Sequence, residues 1–485
     1  MANNTELRKA VYNLLLNHIQ FGTYRYGEKL PTIEEASARL CVSIDTARAA
    51  YLQLKSEGYI TLSKNIGAIV KVNYSSLETE QFIQSFFSTR KKAMIDLGNS
   101  MKPLFGNARW IGLKNASPDM LNAIEKLSRR NDSTVTYAML EHFNQKYSVL
   151  GNSLFMRLVW QAFMFLQDPF FSIADNTKYF SHFDDYLPTV LKLHREKNWP
   201  ALRVAVDKSL EQMSLALNQF YEDRITQPPP EKETSFIWSS YKKSQQLCYS
   251  LAMELLICIN QGVYPVGSLL PPQEELAQQK NVSVSTVRRA FGLLSSVGAV
   301  KSEKYVGTQV LPFDKATENS DFTKPILHRR FLDMAESLQV LALSCRDVSL
   351  LTLSSLDAVS IEQLCQKLKK NKERQRSELL SYFTLNLIAK SAPYQAIRTV
   401  YSELLRQFFW ANVFQGMKGN QEVINRLYAP YEEVFIESLE KRDFPCFSAK
   451  LEELIIHDLR KILGFLSKLG VTETEKLFIP DESKN

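Results

Sequence analysis

The stretch "YGEKLPTIEEASARLCVSIDTARAAYLQLKSEGYI", Tyr26 to Ile60, is matched without a gap by "VGSLLPPQEELAQQKNVSVSTVRRAFGLLSSVGAV", Val266 to Val300, 240 positions further on. An internal repeat constrains the fold more than composition does, because whatever one copy forms the other must form too. The match extends in both directions. Gly22, Tyr24 and Gly27 align with Gly262, Tyr264 and Gly267, and Leu15 and Ile19 with Leu255 and Ile259. Downstream, Gly58 and Gly67 align with Gly298 and Gly307. The likeness returns much later, where "LPTVLKLHREKNWP" (Leu187 to Pro200) is similar to "EEVFIESLEKRDFP" (Glu432 to Pro445), now 245 positions apart. Five inserted residues, placed near "QGMKGNQEV", account for the drift.

Each short repeat carries a readable local pattern. In the first, Leu7, Val11, Leu14, Leu15 and Ile19 recur at helical spacing and predict a helix over 5–20. Gly22 and Gly27 end it. Thr32 with Glu35 three positions on predicts a capping box opening a second helix. After a turn at Cys41-Val42, Ser43 caps a third helix that Gly58 stops. "YITLSKNIGAIVKV" then alternates as strands do around a Lys64-Asn65 tip and Gly67, predicting a hairpin. Leu30, Leu40, Leu54 and Tyr59 are the expected core.

Three helices with a tight turn between the second and third, closed by a hairpin, make a winged helix-turn-helix. In that geometry the third helix enters the DNA major groove by its N-terminal end. Hydroxyls and helix-start amides suit phosphates, and Arg suits guanine. The expected contact residues are therefore Thr32, Ser43, Thr46, Arg48, Lys64 and Gly67 in the first copy. In the second they are Ser283, Ser285, Thr286, Arg288, Arg289, Lys304, Gly307 and Thr308.

Both copies resemble the DNA-binding domain of the GntR family of bacterial transcription regulators. The resemblance rests on "YPVGSLLPPQEELAQQKNVSVSTVRRAFGLLSSVGAV" with "VGTQV", and on "YRYGEKLPTIEEASARLCVSIDTARAAYLQLKSEGYI" with "IGAIV". Two departures stand out. The slot after the Val-Ser pair, usually Arg in the family, holds Ile44 and Val284. The second-helix slot for another DNA-contacting Arg holds Glu34 and Glu274. Each lost phosphate contact weakens binding and flattens its salt dependence.

The remaining stretches, 80–222 and 326–470, are helically patterned, poor in glycine and rich in Leu, Phe and Tyr. They are similar in order and spacing to the all-helical FCD-type effector domain found behind GntR winged helices. Many such domains hold a metal through one Asp and three His, and that resemblance puts the slots at Met139, Phe143, Leu187 and Ser209, and at Leu379, Phe383, Glu432 and Leu454. These residues offer almost no metal ligands, so no metal and no other cofactor is expected. An apolar or aromatic small-molecule effector is the expected ligand, with Phe143, Arg157, Trp160 and Tyr186 as candidate pocket residues.

The fold class follows: mainly α, an internal duplication of a winged helix-turn-helix plus an all-α helical bundle. At 485 residues the chain exceeds a single core. The expected domains are 1–75 (winged helix), 76–226 (helical), 227–235 (Pro-rich linker), 236–312 (winged helix) and 326–475 (helical). A softer seam is "PFDKATENSDFTKP".

Apolar runs broken by Arg157 and Gln161 fall short of a membrane span, and the N-terminus lacks the apolar core of a secretion signal. The six cysteines form no CxxC pair. A cytoplasmic location is expected, without membrane contact. The formal charge of +7 permits a polyanionic partner without requiring one. No phosphate loop, HExxH or GxSxG motif points to an enzyme.

The leading reading is a DNA-binding regulator acting on a double-stranded operator as a homodimer or an intrachain pseudo-dimer. A rival reading is a protein-interaction scaffold with degenerate winged helices. A third is a small-molecule-binding module without regulatory output.

Overall fold

A computed structural model of the chain describes residues 3–64, 66–128, 135–180, 186–238, 243–312, 315–318, 325–375, 377–417 and 421–480. Asn65 at the first wing tip, much of the second seam and residues 418–420 of the expected insertion lie outside them. Two compact units emerge: Met1–Leu150 with Met156–Ile237 and Tyr394–Ala396, and Gly151–Phe155 with Trp238–Pro393 and Ile397–Asn485. The chain is mainly helical, and its described sheets are two antiparallel hairpins.

The first unit opens with helices α1 (Asn3–Gln20), α2 (Ile33–Leu40) and α3 (Ile44–Ser56), then strands β1 (Ile60–Ser63) and β2 (Gly67–Val70). The strands pair from Ile60↔Val70 to Ser63↔Gly67, and Lys29 makes an isolated antiparallel bridge to Ile69. Helix α1 packs on α3 because its Val11, Leu14, Leu15 and Ile19 face the buried Ala47, Ala50 and Leu54. Leu30 and Leu40 join that core. Tyr59 is only half-buried, since it leads into the hairpin from the surface.

The helical part of this unit comprises α4 (Ser76–Ser88), α5 (Lys91–Lys114), α6 (Pro118–Ser128), α7 (Val135–Tyr147), α8 (Ser153–Ala162), α9 (Asp168–Phe171), α10 (Tyr186–Arg195) and α11 (Trp199–Asp223). Helices α5 and α11 form its spine. Between α8 and α9 the chain makes a π-helical turn, Phe163–Gln167, invisible to a 3.6-residue pattern because it adds one residue to a helical repeat. The Pro-rich segment at 227–235 is tied to this unit. Thr234 N–H donates to Thr89 O at 2.7 Å, and Lys92 N–H to Glu233 Oε2 at 3.0 Å.

The second unit repeats the plan: α12 (Lys243–Asn260), α13 (Gln273–Lys280), α14 (Val284–Ser296), β3 (Val300–Glu303) and β4 (Gly307–Val310). Its hairpin keeps the register, from Val300↔Val310 to Glu303↔Gly307, and Leu269 bridges Gln309. Its helices are α15 (Pro325–Ser355), α16 (Ala358–Glu373), α17 (Leu380–Ser391), α18 (Gln395–Leu405), α19 (Gln421–Lys441) and α20 (Phe444–Lys468), with α15 against α20 as the spine. Among the described residues no helix is long and apolar enough to cross a membrane.

Candidate nucleic-acid interface

In the first module the approach to α3 is fixed by short-range hydrogen bonds. Glu35 N–H donates to Thr32 Oγ1 at 3.1 Å while Thr32 N–H donates to Glu35 Oε2 at 2.8 Å, closing the reciprocal box on α2. Helix α2 ends at Cys41 in the left-handed region, φ +54°. Ser37 Oγ then donates to Val42 O at 2.7 Å, fixing the turn. Ser43 caps α3, with Thr46 N–H at 3.1 Å from its Oγ. Tyr51 OH donates to Pro31 O at 2.6 Å and ties α3 to the entry of α2.

These bonds leave Ser43, Ile44, Asp45 and Arg48 exposed at the start of α3, with Thr32 and Lys64 exposed nearby. Thr46 is not among them. Its side chain is buried and its hydroxyl pairs with Ser43 Oγ at 2.7 Å, because the third residue of this helix points back under its own cap. Arg48 donates to Asp45 Oδ1 at 3.1 Å, one turn back on the same face. Gly67 opens β2 at φ +89°, which a side chain would disfavour.

The second module differs in three ways. Pro272 occupies the cap of α13 and makes no side-chain cap bond. At the start of α14, Ser285 stands where Asp45 does in the first copy, and Ser283 Oγ gathers the hydroxyls of Ser285 at 2.9 Å and Thr286 at 2.8 Å. Arg288 and Arg289 are exposed beside them, and neither forms an ion pair among the described residues. Helix α3 thus carries Asp45, Arg48 and Lys55, whereas α14 carries Arg288 and Arg289 with no acid.

At the second wing, Lys304 lies 4.9 Å from the ring centroid of Tyr305, which is 94% exposed at the tip. Gly307 opens β4 at φ +122°. Thr308 faces inward, buried, with its hydroxyl 2.9 Å from Ser302 Oγ. Strand alternation alone removes it from the surface. Asp45 and Tyr305 were missed in the sequence, although reading one repeat against the other, Asp45 over Ser285 and Asn65 over Tyr305, was the signal that could have found both.

Two stretches, residues 7–70 and 250–310, match the family profile described as "Bacterial regulatory proteins, gntR family". The chain carries two GntR-family domains. A 68-residue stretch is 38% identical to the uncharacterized HTH-type transcriptional regulator YieP of Escherichia coli (strain K12), covering 14% of this chain and 30% of that relative. The chain therefore matches less than a third of that relative's length. Among solved structures, Streptococcus agalactiae GntR aligns over 44% of this chain and 99% of its own at 18% identity, with a TM-score of 0.22. E. coli McbR/YncC aligns over 46% of this chain and 99% of its own at 16% identity, with a TM-score of 0.24.

Behind the first GntR-family module, the four candidate pocket residues separate. A cavity of about 20 Å³ lies between α5, α7, the π turn and α11, and Phe143 lines it. Arg157, Trp160 and Tyr186 do not, although Tyr186 lies against Arg109, which does, the guanidinium 4.8 Å from its ring centroid. Their Nε, Nε1 and OH atoms are buried without a hydrogen-bond partner among the described residues. Among the described residues no cluster of three or more His, Cys, Asp or Glu is arranged to hold a metal.

Proposed function

We propose that the protein is a GntR-type transcription regulator that grips a double-stranded operator through two unequal reading modules in one chain. On this reading residues 1–75 and 236–312 read DNA, and 76–226 and 326–475 are helical partners for association and small-molecule sensing. The Pro-rich 227–235 joins the halves, and the working location is the cytoplasm. The contacts come from Thr32, Ser43, Arg48, Lys64 and Gly67, and from Ser283, Ser285, Thr286, Arg288, Arg289, Lys304 and Gly307. A homodimer would present four readers, a single chain two, and linkage lets individually weak readers hold together.

The observation that carries the proposal is the acid-free, twice-basic start of α14, exposed beside a hydroxyl cluster and a lysine-bearing wing. That combination suits phosphates and a guanine edge. The first module supports weaker binding. Its arginine is engaged by Asp45, whereas the exposed Glu34 of the adjoining helix has its counterpart in the exposed Glu274 and does not separate the two modules. The test is fluorescence anisotropy of labelled upstream DNA across a salt series. Arg288→Ala with Arg289→Ala is expected to cost tenfold or more and to lower the salt slope by roughly two, about one per lost phosphate contact. Arg48→Ala is expected to cost less than threefold. Equal weak binding to every sequence, untouched by the α14 changes, would favour the scaffold reading instead.

A further inference from the structure

The tip of the second wing breaks a local rule that the sequence of the first wing keeps. Lys304, Tyr305 and Val306 join β3 to β4, and Val306 N–H donates to Glu303 O at 3.3 Å, closing a tight turn. Tyr305 takes the third position of that turn at φ +67°. Positive φ there suits Gly or Asn and strains a bulky aromatic residue. In the first repeat the aligned residue is Asn65, which obeys the rule.

Burial offsets none of this strain, because the Tyr305 side chain is 94% exposed. Val306 beside it is exposed as well. Leu269, also exposed, flanks the base of the wing, with its Cδ1 3.6 Å from where a Gly307 Cβ would stand. The first repeat has Lys29 at the Leu269 position. The second wing thus holds a ring, a valine and a leucine in water, and the strain at its tip keeps the ring outward.

The charges around the tip indicate what meets it. Glu303, the acid that borders the turn, is engaged by Lys301 at 2.8 Å. Lys304 forms no ion pair among the described residues, and its Nζ lies 4.9 Å from the Tyr305 ring centroid. On the same module α14 starts with the exposed Arg288 and Arg289 and no acid. Cations beside an exposed ring complement a polyanion that also offers flat apolar faces. Duplex DNA has phosphates outside and stacked bases within, and every base has a face on which a ring can stack. Apolar side chains that enter the minor groove part a base step and kink the duplex.

We infer that the second wing carries an unstacking wedge: Tyr305, flanked by Val306 and held at a phosphate by Lys304, enters the minor groove beside the α14 site and kinks the duplex. This deepens the DNA-reading role proposed above and rests on it. Specificity then comes from deformability, because a step that parts easily, such as TA or CA, admits the ring at less cost. The first wing exposes Ile66 but carries no ring, so the sharper bend lies on the side of the second module.

The experiment uses the full chain, at saturating concentration, on its own upstream DNA. The mobility of circularly permuted fragments reports a bend, and permanganate reports unstacked thymines. A bend of about 20° or more is expected, with a thymine made reactive beside the α14 footprint. Tyr305→Asn, which copies the first repeat, is expected to abolish that reactivity, to reduce the bend by half or more and to weaken binding about fivefold. Tyr305→Phe is expected to keep all three. Tyr305→Asn should also melt no lower than the parent, because Asn accepts the positive φ. A straight duplex with the parent, a thymine that stays reactive with Tyr305→Asn, or a melt lowered by that change would overturn the wedge. Equal weak binding of the parent to every sequence refutes the DNA-reading role itself, whereas specific binding to a straight duplex refutes the wedge alone.

Discussion

On the DNA-reading role proposed above, the difference between two equivalent positions sets how each module meets a polyanion. Asp45 and Ser285 both occupy the second position of a reading helix, directly after a capped start. An aspartate there suits the helix's own N-terminal dipole, yet it opposes an approaching phosphate and engages Arg48. That ion pair is half-exposed or more at both ends, so it contributes little to folding. Asp45→Ser, which copies the second module, is therefore expected to leave thermal stability nearly unchanged. It should tighten operator binding several-fold at low salt and steepen the salt slope by about one. If anisotropy shows no change, the first module does not touch DNA in the bound state. The exposed hydroxyls and arginines at the two helix starts were legible in sequence, because each follows a Ser cap. Their orientation was less so. Thr46 and Thr308 carry the right chemistry on the wrong face, and only the helical and strand periods, applied residue by residue, separate them from Ser43 and Arg48.

Local signals settled the winged modules because each element there is punctuated by chemistry. The capping box at Thr32, the Ser43 cap and the glycines that open the strands are all sequence-visible, and the element order follows from them. Helix α2 depends on its box more than α13 does on its cap, since Pro272 provides no side-chain acceptor. Thr32→Ala is expected to lower the stability of the first module by about 1 kcal/mol, read as loss of hydrogen-exchange protection at Glu35 and its neighbours. Unchanged protection there would mean that packing of Ala36 and Leu40 alone holds the helix. The helical units were legible only as helices. The π turn at Phe163–Gln167 and the 3₁₀ stretch Arg406–Met417 break the 3.6-residue period without a proline or glycine to announce them. The full burial of Lys146 on α7 was equally hidden, because a single lysine in a helical pattern reads as a solvated charge.

At the scale of the whole molecule, a reader that senses anything must be mechanically joined to the unit that does the sensing. In the first unit that joint is built from buried polar contacts. His18 Nε2, at the end of α1, lies 2.8 Å from Asp168 Oδ1 at the start of α9, both side chains essentially inaccessible. Beside it, Thr23 Oγ1 donates to Ser172 O at 2.7 Å, and Arg39 packs 5.1 Å from the ring centroid of Tyr137 on α7. The second unit cannot use the same joint, since Cys258 replaces His18. There Asn412 Nδ2 donates to Val297 O at 3.1 Å, linking the helical part to the end of α14. His18→Ala removes a buried hydrogen-bonding ring and leaves a void, at a cost of about 2 kcal/mol or more. Hydrogen exchange should quicken in α1 and α9 while α12 to α14 stay protected. Operator affinity by anisotropy is expected to fall by less than threefold, because the second module keeps its own seat. Unchanged exchange in α1 and α9 would show that the His18–Asp168 contact does not hold the joint.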